Sequence, residues 1–243
     1  MSKTETLAKL MLGPVLLMQG LYTRKVTPKL PEAPGEREGL AGHGETLRLL
    51  ILGDSAAAGV GASTQAQALS GQLVSRLARA YQVGWKLWAR SGLDSQSLLD
   101  LLDQHPPEPF EVALLSIGVN DVTGSLSATQ WIARQQQLME VLVERFAVKL
   151  IVLSPLPPMH LFPALPQPLR WYLGNRAARF NAQLAILAQR TDRCTLLATR
   201  LAPVAGSMAR DNFHPGPAIY SLWADEAARV IARHFDTPAA GKL

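Results

Sequence analysis

The sequence has almost no cysteine: Cys194 is the single one among 243 residues, so no internal disulfide can form. This thiol lies in the apolar run 192–198 and has no histidine near it in the sequence. Because a catalytic thiol usually needs an activating neighbour, we predict that Cys194 is a core residue of a short strand. A free thiol is consistent with a reducing compartment.

The sequence also lacks a dense run of basic residues. Its net charge of +5 arises from 24 lysines and arginines spread along the chain, against 19 acidic residues. It contains no zinc-finger spacing and no aromatic motif of the RNP type. We therefore expect a mildly basic, solvated surface and no nucleic-acid partner.

The apolar run near the N-terminus is too short to cross a membrane. Residues 10–22 fall below the roughly 20 residues of a spanning helix, and Gly13 and Pro14 interrupt them. Arg24 and Lys25 follow where a signal peptide would have a small-residue cleavage pattern. A helix packed on the protein and an interfacial helix lying in a membrane surface both remain open, with a cleaved signal as the third alternative.

The composition divides the chain into three parts. Residues 1–27 form the apolar N-terminal segment, a candidate membrane-associated helix that would give peripheral membrane contact. Residues 28–46 are rich in Pro, Gly and Glu and are predicted to be a linker to a domain at 47–236. Because basic residues after an apolar segment tend to stay in the cytoplasm, we expect a cytoplasmic rather than a periplasmic or secreted protein.

From residue 47 onward, short apolar runs alternate with helical periodicity. The predicted strands are 47–53, 85–89, 110–118, 149–154 and 194–198, and the predicted helices cover about 69–81, 97–105, 138–146, 173–187 and 219–234. The strands are apolar throughout, which is typical of strands covered on both faces. We therefore predict an α/β fold with an open parallel sheet between two layers of helices, whose ligands bind beyond the carboxyl ends of the strands.

Polar residues follow four of the predicted strands. They are Asp54–Ser55, Ser91–Gly92, the GVND stretch at 118–121 and the DNFHPG stretch at 211–216. A phosphate-binding loop is not supported at the first, because no lysine or arginine occurs between Gly53 and Gln72. The dinucleotide pattern G-x-G-x-x-G also fails, since Thr64 stands where the third glycine belongs.

Taken one at a time, these stretches are explained as helix caps or turns. Together, Ser55, Asp211 and His214 supply the hydroxyl, carboxylate and imidazole that an acyl-transfer site needs. The spacing of Asp211 and His214 lets the carboxylate reach one ring nitrogen and leaves the other to face Ser55. The backbone N–H groups of Ser55 and Gly92 and the amide of Asn120 are candidate oxyanion donors.

These four blocks resemble those of the GDSL, or SGNH, esterase–lipase family over residues 48 to about 235. The resemblance implies Ser55 as nucleophile, His214 as general base and Asp211 as its orienting carboxylate, with Ser55, Gly92 and Asn120 forming the oxyanion hole. It also implies a flavodoxin-like three-layer sandwich with a five-stranded parallel sheet. The leucine that usually follows the family's serine is Ala56 here, which affects the expected substrate range more than the chemistry.

The expected function is hydrolysis of carboxylic esters through an acyl-enzyme intermediate, without metal or cofactor. The substrate would be a small ester or a lipid-like one, with a lysophospholipase-like activity among the candidates. Acyl transfer by the same triad and a non-catalytic binding module on this fold remain alternatives. An α/β-hydrolase elbow, G-x-S-x-G, fits less well, because Ala57 replaces its second glycine and one predicted strand precedes Ser55.

One further segment is expected to shape the substrate site. Residues 154–171 are long for a connection in an α/β domain and contain six prolines together with Met, Leu, Phe and Trp. We predict that this segment forms an apolar wall for an acyl or alcohol group, with a rigid surface loop as the alternative. His160 lies in it without an acidic neighbour and is left out of the site.

Overall fold

A six-stranded sheet forms the centre of the computed structural model, which describes residues 3–198 and 206–236. The strands are β1 (Glu38–Ala41), β2 (Glu45–Gly53), β3 (Tyr81–Ala89), β4 (Val112–Ser116), β5 (Leu150–Leu153) and β6 (Cys194–Leu196). Their order in the sheet is β1-β3-β2-β4-β5-β6. Strands β2 to β6 run parallel, and β1 pairs antiparallel with β3 at one edge.

Helices cover both faces of the sheet. They are α1 (Lys3–Val26), α2 (Leu69–Leu77), α3 (Ser95–Gln104), α4 (Val119–Thr123), α5 (Ala128–Phe146), α6 (Leu169–Gln189) and α7 (Pro217–Asp236). One core contains side chains of α1, α3, α4, α5 and α6, and the other contains side chains of α2 and α7. Within β2, Leu50 and Leu52 belong to the first core, whereas Leu49 and Ile51 belong to the second.

This alternation explains the unbroken apolar character of the strands, because both faces of β2 are buried. The three-layer α/β sandwich with five parallel strands is therefore confirmed. A sixth strand, β1, was not predicted. Its four residues are exposed or half-buried and carry no apolar pattern.

Part of the segment predicted as a linker belongs to the sheet instead. Residues 38–41 pair with β3 in the register Glu38↔Lys86 to Ala41↔Val83, and β2 begins at Glu45. Tyr81 also differs from the prediction, since it opens β3 rather than closing a helix. Tyr81 continues the four-residue apolar spacing of α2, which is why it was assigned to that helix. In the structure it pairs with Glu45 of β2, and its side chain is buried.

Cys194 begins β6 and packs half-buried at the edge of the first core. Burial raises the pKa of its thiol to about 12, so the sulfur stays protonated at neutral pH. No group of three or more His, Cys, Asp or Glu side chains that could hold a metal ion occurs within residues 3–198 and 206–236. No helix in the same part of the chain is long and apolar enough to span a bilayer.

Candidate active site

Ser55 stands directly beyond the carboxyl end of β2, which lies between β3 and β4 in the sheet. The strand ends at Gly53, where a Cβ atom would lie 2.1 Å from the carbonyl oxygen of Ser116 on β4. The chain then enters a tight turn, in which the Val60 N–H donates to the Ser55 carbonyl oxygen at 3.0 Å. Glycine at 53 thus allows the close approach of the neighbouring strand that places the serine at the sheet edge.

The small residues after Ser55 are required by packing. Ala57 and Ala58 are fully buried in the core beneath the turn. Gly61 has a φ of +100°, and a Cβ atom there would lie 2.3 Å from the carbonyl oxygen of Pro215. This contact sets the serine turn against the loop that carries His214, so low side-chain bulk brings the two parts of the site together.

Ser55, His214 and Asp211 form a continuous hydrogen-bonded chain. The Ser55 Oγ lies 2.9 Å from His214 Nε2, and His214 Nδ1 lies 2.6 Å from Asp211 Oδ2. When Nδ1–H donates to the carboxylate, Nε2 is unprotonated and accepts the serine hydroxyl proton. The three residues that the sequence grouped by chemistry are therefore in contact, across a separation of 159 positions.

The Asp211–His214 turn is organised by the carboxylate itself. Its Oδ1 accepts the backbone N–H groups of Phe213 and His214, each at 3.0 Å, and Asn212 adopts a φ of +56° between them. Burial alone would raise the pKa of Asp211, but the hydrogen bonds from His214 and from these two N–H groups outweigh it and lower the pKa. The carboxylate is therefore ionised at neutral pH.

Gly92 and Asn120 lie at the same edge of the sheet as Ser55. The end of β2 pairs with the ends of β3 and β4, in the registers Gly53↔Ala89 and Gly53↔Ser116. Gly92 follows β3 with a φ of +86°, a left-handed conformation that favours glycine, and open space lies beside its Cα.

The Asn120 amide is held in place by the loop after β3. Asn120 belongs to α4, and its Nδ2 donates to the carbonyl oxygen of Leu93 at 2.7 Å. Because an amide nitrogen carries two hydrogens, the second one stays available for another acceptor. This hydrogen bond links α4 to the loop that contains Gly92. It therefore fixes the two candidate donors, Gly92 and Asn120, relative to each other.

A buried polar network behind Asn120 was not predicted. Asp121 Oδ2 accepts the backbone N–H of Ser95 at 3.1 Å and its hydroxyl at 3.0 Å, and Gln135 Nε2 donates to the same Ser95 Oγ at 2.9 Å. All three residues are buried. Burial raises the pKa of Asp121, with the Ser95 hydrogen bonds opposing it. The network joins α4 to α3 and α5 and fixes the helix that carries Asn120.

Arg176 also holds α4 in place, a contact that the sequence analysis missed. This side chain of α6 is buried, and its Nε donates to the carbonyl oxygen of Val122 at 2.9 Å. A second guanidinium nitrogen donates to the Leu126 carbonyl oxygen at 2.7 Å. The guanidinium thus satisfies carbonyl groups in and just after α4, which otherwise would lack partners at a helix end.

Asp54, next to the serine, is a second buried carboxyl group near the triad. Its Oδ1 accepts the Ala56 N–H at 3.1 Å. Burial raises the pKa of Asp54 to about 6, against the lowering effects of that N–H and of nearby His214. The histidine therefore lies near two buried carboxyl groups, Asp211 and Asp54, whose pKa values are shifted in opposite directions.

An apolar pocket opens beside the Ser55–His214 pair. Its apolar lining residues are Ala56, Ile117, Val119, Pro155, Leu156, Pro157, Pro158, Phe162, Met208, Phe213, Pro215, Ile219 and Trp223. Five of them come from the proline-rich segment, so this segment does form one wall. Phe162 stacks edge-on against Phe213 at 5.2 Å between ring centroids. His160 does not line the pocket, in agreement with its exclusion from the site.

A protein-family comparison decides which hydrolase type this geometry represents. The model of the GDSL-like lipase/acylhydrolase family matches residues 51–222, well over half of the chain. The chain belongs to the GDSL-like lipase/acylhydrolase family. It is thus an ester-cleaving hydrolase of the GDSL type, and the α/β-hydrolase alternative is wrong. No curated protein matches the sequence.

Solved structures show the same fold. The psychrotrophic esterase EstA from Pseudoalteromonas is 18% identical, with a TM-score of 0.60 over 78% of this chain and 99% of that one. A lipolytic GDSL-family protein from Veillonella parvula is 16% identical, with a TM-score of 0.59 over 77% and 99%. The lipase Lip_vut3 from a goat rumen metagenome is 18% identical, with a TM-score of 0.56 over 75% and 96%.

Proposed function

We propose that this GDSL hydrolase cleaves carboxylic esters through an acyl-enzyme intermediate on Ser55. The observation that carries the proposal is the hydrogen-bonded chain Ser55–His214–Asp211, in which a buried carboxylate, an imidazole and a hydroxyl follow one another at 2.6 and 2.9 Å. This order of groups is the one that activates a serine hydroxyl for attack on a carbonyl carbon.

In the acylation step, Ser55 Oγ bonds to the ester carbonyl carbon while its proton moves to His214 Nε2. The carbonyl oxygen becomes an oxyanion, which the N–H groups of Ser55, Gly92 and Asn120 stabilise. His214 then gives its proton to the departing alcohol oxygen as the carbon–oxygen bond breaks. Water repeats the sequence on the acyl-enzyme, and His214 accepts its proton and returns it to Ser55.

Asp211 acts through the histidine in this scheme. Its hydrogen bond to Nδ1 selects the tautomer in which Nε2 accepts a proton, and its charge stabilises the imidazolium that forms. The two backbone N–H groups that donate to Oδ1 fix the orientation of the carboxylate. Since these bonds lower the pKa of Asp211, its charge persists throughout the neutral range.

The pocket beside Ser55 favours an apolar acyl or alcohol group. Prolines, Leu156, Phe162 and Trp223 supply most of its wall, and the polar atoms near it belong to the triad and to the strand ends. Relatives of this fold include EstA, whose structure is that of the enzyme inhibited by monoethylphosphonate, and an acetyl-xylooligosaccharide esterase from Geobacillus. The apolar lining supports a lipid-like ester over a sugar ester for this chain.

A panel of p-nitrophenyl esters of increasing acyl length, with a lysophospholipid and an acetylated sugar included, tests the proposed function. We expect hydrolysis of the p-nitrophenyl esters and a preference for acyl chains longer than acetyl. The absence of hydrolysis of every ester by folded protein would contradict the proposal, and a preference for the acetylated sugar would contradict the lipid-like substrate class.

Replacing Asn120 by alanine removes one oxyanion donor and leaves the nucleophile in place. We expect kcat to fall by about 10²–10³-fold with little change in KM, because the donor acts on charge that develops in the transition state. Steady-state kinetics on one p-nitrophenyl ester measure the effect. Asn175→Ala, at an exposed position of α6, is the matched control. An unchanged kcat in Asn120→Ala would exclude the amide from the oxyanion hole.

Phe162→Ala tests the apolar wall. Removing the ring opens space beside Phe213, so we expect the acyl-length preference to shift and kcat/KM for the preferred chain to fall by about tenfold, the effect of about 1.4 kcal/mol of lost contact. Leu161→Ala is the control, because Leu161 directly precedes Phe162, at the end of the 3₁₀ turn Met159–Leu161, and does not line the pocket. An unchanged preference in Phe162→Ala would show that the loop does not contact the substrate.

A further inference from the structure

Helix α1 is attached to the protein along one side. Leu16 is buried and Leu12 half-buried against the core that contains α6. Gln19 Nε2 donates to the carbonyl oxygen of Gln167 at 2.6 Å, and the Leu169 N–H donates to Gln19 Oε1 at 3.0 Å. These positions recur every three or four residues, so the apolar and polar contacts fix one face of the helix and leave the opposite face outward.

The outward face of α1 is apolar. Seven of the twelve large hydrophobic side chains that are exposed within the described chain lie on this helix. They are Met11, Val15, Leu17, Met18, Leu21, Tyr22 and Val26, and Met11 reaches 74% exposure. A contiguous exposed apolar surface of this kind on a folded protein marks a binding surface.

The N-terminal part of the sequence, which contains α1, is positively charged. Residues 1–31 contain the five basic residues Lys3, Lys9, Arg24, Lys25 and Lys29 and one acidic residue, Glu5, which gives a net charge of +4 out of +5 for the whole chain. Arg24, Lys25 and Lys29 are exposed at and beyond the end of the helix. Residues 1–31 therefore carry nearly all of the net positive charge of the protein.

We propose that the outward face of α1 binds the surface of an anionic lipid bilayer, with the helix lying in the plane of the interface. An apolar face flanked by cations matches a surface that combines acyl chains with negative headgroups. The 24-residue helix is not apolar enough to span a bilayer, and its inner face is occupied by the protein. Insertion to a shallow depth uses the outward side chains and keeps the inner contacts.

The attachment point connects this surface to the proposed substrate site. Gln167 and Leu169 lie near the end of the proline-rich segment, whose Leu156 and Phe162 line the pocket beside Ser55. Trp171, exposed two residues later, adds an aromatic side chain of the kind enriched at membrane interfaces. Membrane binding would hold the pocket near lipid-like esters. The bilayer proposal itself does not rest on the proposed hydrolase chemistry.

Flotation of the full-length protein with vesicles tests the proposal. We expect binding to vesicles of phosphatidylcholine mixed with phosphatidylglycerol, weaker binding to phosphatidylcholine alone, and release from the mixed vesicles as salt rises. The double variant Met18→Asp/Leu21→Asp should bind the mixed vesicles at least about tenfold more weakly, since it replaces two exposed apolar side chains of the outward face by anions. Arg24→Gln/Lys25→Gln should lose most of the preference for anionic lipid.

Leu222→Asp is the control, because Leu222 is 60% exposed on α7, away from α1, and should leave binding unchanged. Wild-type protein that floats with neither vesicle, or an aspartate double variant that binds like wild type, would overturn the proposal. So would a dimer in light scattering that the double variant dissociates while vesicle binding stays absent, because a second copy would then cover the face. If the double variant hydrolyses a short soluble ester at the wild-type rate, its loss of vesicle binding does not come from damage to the active site.

Discussion

Replacing Ser55 by alanine is expected to reduce kcat for every ester substrate by about 10⁴-fold or more. The variant keeps the Ser55 backbone N–H and the other oxyanion donors, but it has no atom that can form the acyl-enzyme. Alanine fits the site, since the side chain is half-exposed and its hydroxyl contacts His214. The change should leave the fold and its thermal stability nearly unaltered.

Kinetics with a p-nitrophenyl ester, together with circular dichroism, measure this effect. Ser63→Ala provides the matched control, because Ser63 lies in the same turn region but is exposed and bonds to Gln67. We expect that variant to retain wild-type kcat. A folded Ser55→Ala protein with more than about a tenth of wild-type activity would contradict the role of the serine.

Asp211→Asn is expected to lower kcat by about 10⁴-fold, with a much smaller change in KM. The asparagine is nearly the same size, and its oxygen can still accept the N–H groups of Phe213 and His214. Its NH2 group would then face Nδ1, which becomes the acceptor, so the proton moves to Nε2 and the histidine can no longer take the serine proton. The loss therefore comes from the wrong tautomer.

The control for Asp211→Asn is Asp225→Asn on α7. Asp225 is an exposed carboxylate paired with Arg76, and its removal should leave kcat unchanged. Measuring kcat and KM across pH distinguishes a loss caused by the wrong tautomer of His214, which lowers kcat, from a loss of substrate binding, which raises KM. A defect confined to KM, or activity restored at wild-type level in the neutral range, would show that Asp211 does not act through His214.

The fold was predictable because its strands are buried on both faces. Leu49 to Leu52 alternate between two cores, so every position had to be apolar, and the run ends where glycine admits the neighbouring strand. Strand β1 has the opposite character. Its exposed residues are held by backbone pairing with β3, which needs no particular side chain and leaves no pattern in the sequence.

The triad was predictable because its chemistry restricts residue types. Ser55, Asp211 and His214 each follow a predicted strand or fall in one short turn, and the parallel sheet brings such positions to one edge. The groups that brace Asn120 had no such signature. Ser95 and Gln135 lie 40 positions apart and meet as buried polar side chains, and Arg176 donates to the carbonyl oxygens of residues 54 and 50 positions away. These contacts depend on how the helices pack in three dimensions, so only the structure reveals them.

Labelling with a fluorophosphonate probe, followed by intact mass and peptide mapping, tests the central claim most directly. Such a probe reacts with a serine hydroxyl only when a base has activated it and the oxyanion site can stabilise the phosphorus centre. We predict one adduct per chain, located on Ser55, that is absent in Ser55→Ala and strongly slowed in Asp211→Asn. Folded wild-type protein that stays unlabelled, or that carries its adduct on another residue, would contradict the account.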